Sequence, residues 1–369
     1  MPVLLALFYF FYFAIIAVHI IFLPKVLSGI GYTPSEIGII FAAAPLVRFM
    51  VPFAFIKGVQ LNRNVFNTAL VLLALSALAF YPALESFYAL LCANIGLGIG
   101  LSLILPFIEV IALEQVGKER YGKVRLYGSV GFIMVSLVLV EFLNTPQTAI
   151  LYLIAMVMAT ALFGYIIAAH QTATVNNNDT PSGSSFNILR RWRLWSGLLL
   201  MQISFGAFYN FFTIYETAQG ISLDMTVYLW SFGVIVEIIM LYFQGPLLRK
   251  NLLGILQFTT LFTTIRWLLL FLYPTNLALL FVSQSIHALS FALFHSAAIS
   301  YLFTLYTQKK LAQQFFFGIS YGLGGFIGAI GAGYIYELWP SELFAVAAGV
   351  ALCSFALLRS SANKETSSQ

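Results

Sequence analysis

LYGSVGFI (residues 126–133) and SYGLGGFI (residues 320–327) are two copies of one pattern. Tyr127, Gly128, Gly131, Phe132 and Ile133 return as Tyr321, Gly322, Gly325, Phe326 and Ile327, each 194 positions later. Each copy opens a long apolar stretch and follows basic residues, Lys118 to Arg125 before the first and Lys309 with Lys310 before the second. The offset is about half of the 369 residues, so the pattern predicts two similar halves in the same orientation. In a membrane chain, such parallel repeats are related by an axis along the membrane normal.

The chain is 61% hydrophobic and 8% charged, against about 25% charged for soluble domains, which predicts an all-α polytopic membrane protein in a lipid bilayer. The net charge of +5 does not point to nucleic acid, because the basic residues are spread among short loops. Cys92 and Cys353 fall in apolar helices and read as small hydrophobic fillers. Residues 2–23 are apolar with no Lys or Arg before them and lack the small-residue cleavage site of a removed signal. They read as the first spanning helix.

About 20 mostly apolar residues cross a bilayer. On that measure twelve spans are expected, at 3–23, 35–56, 65–83, 87–112, 126–144, 149–169, 195–216, 223–244, 252–272, 277–303, 314–335 and 342–359. This divides the chain into an N-terminal six-helix bundle (1–169), a polar linker (170–194), a C-terminal six-helix bundle (195–360) and a tail (361–369). Of the 18 Lys and Arg residues, fifteen fall on one side, Lys25 alone falls on the other, and Arg48 and Arg266 lie inside spans. The positive-inside rule then places both termini in the cytoplasm, with the chain in a bacterial inner membrane. The linker VNNNDTPSGSS (175–185) reads as flexible and cytoplasmic.

Several polar features have structural readings. Thr33-Pro34-Ser35-Glu36 spells a capping box with proline at the first helical position, and Ser222 with Asp224 opens the eighth helix in the same way. Gly96, Gly98 and Gly100 follow no strand and are not a dinucleotide loop. They let helices approach closely, as do Gly324 and Gly328. Gly117-Lys118 lacks the flanking residues of a phosphate-binding loop. No nucleophile–base set or metal cluster stands out, so neither an enzyme nor a cofactor is expected.

Ionisable residues within spans are costly and mark pathways or paired sites. They are His19, Arg48, Glu109, Glu141, Glu216, Glu237, Arg266, His287 and His295. Glu141 and Glu216 lie near the outer ends and can reach the interface. Arg48 lies about 12 Å from the cytoplasmic end of the second helix, within snorkelling reach, with Glu109 as an available partner. Glu237, Arg266, His287 and His295 fall on helices eight, nine and ten. By counting, Arg266 lies toward the outside, His287 near the middle, and Glu237 with His295 deeper. The two histidines are about 80° apart on an ideal helix and can face one cavity. Such a set either exchanges partners as a proton moves or forms a fixed pair that holds helices together. If Glu237 takes the proton, one arginine is left to hold an anion, ideally a carboxylate by bidentate contact. Trp230 and the aromatics of helix seven offer faces for a ring.

These residues resemble a known family. Twelve helices in two halves with a long central loop are similar to the major facilitator superfamily. More narrowly, YGKVRLYGSVGF (Tyr121–Phe132), FLP followed by GIGYTPSEIG, and VRF with Arg48 resemble the 3-phenylpropionate:proton symporter family. So do YLWSFGVIVEI with Glu237, IRW with Arg266, and VSQSIHALSFALFHSAAISYL with His287 and His295. The family is distantly similar to the lactose permease group, in which carboxylate, arginine and histidine on helices eight to ten couple protons. Here Ser290 and Ala298 stand where a carboxylate would follow each histidine by one turn, so Glu237 carries the proton. Arg125 sits at the cytoplasmic start of helix five instead of mid-membrane, which disfavours a sugar. The loop KGVQLNRN has no Asp, which leaves Arg48, Lys123 and Arg125 as gating candidates beside Glu109.

The resemblance implies proton-coupled symport of a small aromatic carboxylate by alternating access in a monomer. Glu237, His287 and His295 would couple the proton, Arg266, Arg48 and Trp230 would bind substrate, and Glu109, Lys123 and Arg125 would gate the cytoplasmic side. A proton-driven drug or metabolite exporter, a nucleoside or sugar symporter, and a non-transporting sensor are the rivals.

Overall fold

The computed structural model describes residues 1–56, 61–170 and 187–366. All regular structure among them is helical. Twelve helices are long and apolar enough to cross a membrane: α1 (Pro2–Gly29), α2 (Pro34–Val51), α3 (Arg63–Ala83), α4 (Phe87–Gly117), α5 (Arg120–Phe142) and α6 (Pro146–Ala169), then α7 (Leu189–Ala218), α8 (Leu223–Phe243), α9 (Leu252–Leu272), α10 (Leu277–Leu305), α11 (Leu311–Leu338) and α12 (Pro340–Ser361). The helices coincide one for one with the twelve expected spans. Two compact units divide the chain, Met1–Asn178 and Asp179–Gln369. Lys57, Gly58 and most of the polar linker lie outside the described residues.

Local chemistry starts most of these helices. Asn62, Ser86, Ser222, Asn251 and Asn276 each accept a hydrogen bond from the backbone N–H three residues on, capping α3, α4, α8, α9 and α10. At α2 the capping box forms in both directions: Thr33 N donates to Glu36 Oε2 at 2.9 Å, and Glu36 N donates to Thr33 Oγ1 at 3.3 Å. The basic stretch before Leu126 is helix and not loop, since α5 already begins at Arg120. The chain reverses at Gly117 (φ 72°), a conformation that glycine adopts without steric cost. Lys123 and Arg125 therefore occupy the first turns of α5.

Within the first unit α5 packs on α1, and within the second α11 packs on α7. Glycine makes both contacts possible. A Cβ on Gly131 would run into the backbone of Phe10, and one on Gly328 would lie 2.6 Å from the Ile203 carbonyl oxygen. Gly206 meets Gly328 backbone to backbone, and Gly98 lies against Ala44 of α2. The repeat read from the sequence is thus a repeated helix pairing, although the close contact in α11 falls about one turn beyond the matched glycine.

Three helices contain π-helical turns, Val18–Phe22 in α1, Ala288–Leu293 in α10 and Phe317–Gly324 in α11. Such i→i+5 turns are rare and concentrate at functional sites. Here they carry or adjoin His19, His287, His295 and Tyr321.

Candidate functional site

Arg266 on α9 is the centre of the polar cluster in the second unit. It is 0% exposed, and three rings surround its guanidinium, with those of Phe208 and Trp267 centred 4.2 and 4.5 Å away. Nη1 donates to His287 Nδ1 at 2.9 Å and to Ser290 Oγ at 3.2 Å, while Nη2 donates to Gln284 Oε1 at 3.1 Å. A guanidinium can only donate, so His287 Nδ1 accepts and the ring proton sits on Nε2. That nitrogen faces Glu237 Oε2 on α8 at 3.5 Å. Gly233, one turn before Glu237, leaves room for this contact: a Cβ there would lie 3.3 Å from Gln284 Oε1 and 3.7 Å from the His287 ring.

Arg266, His287 and Glu237 thus form one hydrogen-bonding chain across α9, α10 and α8. Counting residues placed them at successive depths, and in the structure their side chains reach one another across those steps. Of the three, Glu237 is the least buried, with its side chain 21% exposed against 7% for His287.

His295 stands apart. The Phe291 ring stacks on His287 (5.4 Å, 5°) and then on His295 (6.4 Å, 24°), so the three rings form a column along one face of α10. The π turn between them rotates less per residue than an ideal helix and brings positions 287, 291 and 295 into line. A phenyl ring separates the two imidazoles, and His295 Nδ1 is instead paired with the Tyr321 hydroxyl of α11 at 2.7 Å. Trp230 is 4% exposed, donates from Nε1 to Thr213 Oγ1 at 3.1 Å and packs on Phe208 at 4.3 Å. Its indole buttresses the ring above Arg266 and offers no open face in this conformation.

The first unit holds a second pair. Glu109 Oε1 on α4 accepts from Arg125 Nε at 3.2 Å and from Tyr121 Oη at 3.1 Å, both on α5. The Arg125 guanidinium also lies over the Phe13 ring at 5.2 Å. Arg48 is exposed and has no ion pair among the described residues, so Arg125 takes the place the sequence offered to Arg48. Lys123 is exposed and likewise has no ion pair among them. Deeper in α1, His19 Nε2 donates to Asn94 Oδ1 at 2.8 Å, an assignment set by Asn94 Nδ2 donating to the Ile40 carbonyl. Glu141 is exposed, as a residue near a helix end should be. Glu216 is not: it is 0% exposed, which corrects the expectation that it reaches the interface.

Gln284, Ser290, Tyr121, Tyr321 and Asn94 complete these clusters and were missed by sequence reasoning. They are neutral, and a search for buried charge passes over them. Gln284 was accessible by spacing, three residues before His287 on the same face. An open cavity of about 910 Å³ lies elsewhere, among the helix ends around Tyr32, Glu36, Tyr81 and Glu85.

Comparison with known proteins agrees with this architecture. The chain matches the MFS_1 like family over residues 3–356. It is 28% identical over 361 residues to a probable 3-phenylpropionic acid transporter of Escherichia coli (strain K12), covering 94% of each chain. Its fold is similar to the crystal structure of the nucleoside transporter NupG, with TM-score 0.78 at 16% identity over 97% of this chain and 98% of that one. It is also similar to the human organic anion transporter TETRAN, with TM-score 0.64 at 16% identity over 97% and 98% of the two chains. The chain belongs to the MFS_1 like family and is a multi-pass membrane transporter of the major facilitator fold, not an enzyme.

Proposed function

We propose that the protein is a proton-coupled symporter of a small aromatic carboxylate such as 3-phenylpropionate. It would work by alternating access in a bacterial inner membrane, with both termini in the cytoplasm. The observation that carries this reading is the Glu237–His287–Arg266 chain. One buried guanidinium balances one negative charge. Either Glu237 or a substrate carboxylate supplies that charge, so anion binding and protonation of Glu237 are linked.

A proton arriving at Glu237, the exposed member, removes the negative charge that faces His287 Nε2. His287, hydrogen-bonded to Arg266 through Nδ1, transmits the change. The planar fork of Arg266 then turns from its protein partners to an incoming carboxylate. Phe208, held by Trp230, supplies an aromatic wall for the ring of the acid. His295 with Tyr321 lies along the same face of α10 and serves as a separate proton-coupling pair, since the Phe291 ring between it and His287 cannot pass a proton. Glu109 with Arg125 gates the cytoplasmic side, with Lys123 and Arg48 as exposed cations beside that route. The E. coli relative supports the substrate class, since its name is that of an aromatic acid transporter.

The test is Glu237→Gln in membrane vesicles. The expected outcome is loss of proton-driven accumulation with exchange of preloaded 3-phenylpropionate retained. Full accumulation by this variant contradicts the proton role of Glu237.

A further inference from the structure

Helix α7 carries a carboxyl group that nothing holds. Glu216 is 0% exposed, and neither side-chain oxygen has a hydrogen-bond partner among the described residues. Its backbone carbonyl, by contrast, accepts from the N–H groups of Gln219 and Ile221 at 3.1 Å each, so the helix end itself is well formed.

The elements packed against α7 offer no counter-charge. Tyr215, its neighbour, spends its hydroxyl on the Leu270 carbonyl of α9. Arg266 of α9 directs both terminal nitrogens to His287, Ser290 and Gln284 and makes no contact with Glu216. The ionisable side chains toward this end of α11, α12 and α8 are Tyr336, which is buried, and Tyr334, Glu337, Glu342, Asp224 and Tyr228, which are exposed. Each is neutral or negative. An ionised carboxylate buried without partner, hydrogen bond or water costs several kcal/mol, whereas the acid form avoids most of that penalty.

We propose that Glu216 is a second proton-binding site, separate from the Glu237 centre. It holds a proton on its carboxyl oxygen in the conformation described here and releases it when this end of α7 opens to water. In that step the carboxylic O–H bond breaks, the proton passes to water and a carboxylate remains. The site does not rest on the choice of substrate, and its acid form is read without any transport.

Infrared difference spectroscopy on the full chain in phospholipid vesicles, at neutral pH, reads the carboxylic acid C=O band directly. The difference between the native protein and Glu216→Gln is expected to contain one such band. The band should persist in Glu237→Gln and, in the otherwise native protein, shift on transfer to deuterated water while an imposed proton gradient with 3-phenylpropionate present drives turnover. If Glu216→Gln does not fold, Glu216→Asp serves instead, displacing the band in place of deleting it. Loss of carboxylate bands alone would overturn the proposal, because Glu216 would then be ionised. A band that stays unshifted throughout turnover would overturn it as well, because the proton would then never leave.

Discussion

Arg266 donates to three neighbours from one planar group, and that geometry makes it irreplaceable by a lysine of equal charge. An ammonium can neither present the fork nor stack between Phe208 and Trp267. Arg266→Lys is therefore expected to lower uptake of carboxylates at least about tenfold while affecting neutral analogues less. Competition binding to the purified variant checks this, and equal losses for both classes would contradict a carboxylate site. Removing the buttress is milder: Trp230→Phe keeps the ring but loses the hydrogen bond to Thr213, at a cost of about 1 kcal/mol. It should shift apparent affinity a few-fold without abolishing proton coupling, as a concentration series of uptake would show. The ionisable members of this site were legible in the sequence because charge in an apolar span is rare. Their partners were not. Arg48 was offered as a partner for Glu109 because Arg125 falls just before the fifth expected span, and Gln284 carries no charge to draw notice.

At the scale of the helix, two features decide the packing and only one is visible in the sequence. The glycines of α4 and α11 foretold close approach to a neighbour, and Gly98 meets Ala44 of α2 while Gly324 and Gly328 meet α7. Gly206→Ala is expected to destabilise the protein by about 1–3 kcal/mol, because the new Cβ meets the Gly328 backbone, which has no free volume to yield. Gly331→Ala in α11 is the matched control, since nothing lies within 4 Å of its Cβ position. It should be neutral or slightly stabilising, as alanine is the better helix former. Thermal unfolding of both variants in detergent provides the comparison, and equal Tm values would contradict the packing argument. The π turns were not legible. They alter register by tertiary packing and leave no periodicity in composition, which is why His287 and His295 were counted 80° apart when they lie in one column with Phe291.

For the molecule as a whole, hydropathy alone placed all twelve helices, because a span must satisfy its backbone internally and stay apolar along its length. The division of charge between their ends carries the proposed orientation. With Cys92 and Cys353 replaced by serine, Lys25→Cys should react with an impermeant maleimide from outside intact cells, and Arg63→Cys only after permeabilisation. The reverse pattern would invert the proposed topology and with it the direction of transport. The central claim concerns coupling and is tested by uptake of labelled 3-phenylpropionate into right-side-out vesicles with and without an imposed inward proton gradient. The account predicts accumulation above the external concentration only while the gradient lasts. Uptake that merely equilibrates, with the gradient shown to be intact, would contradict it.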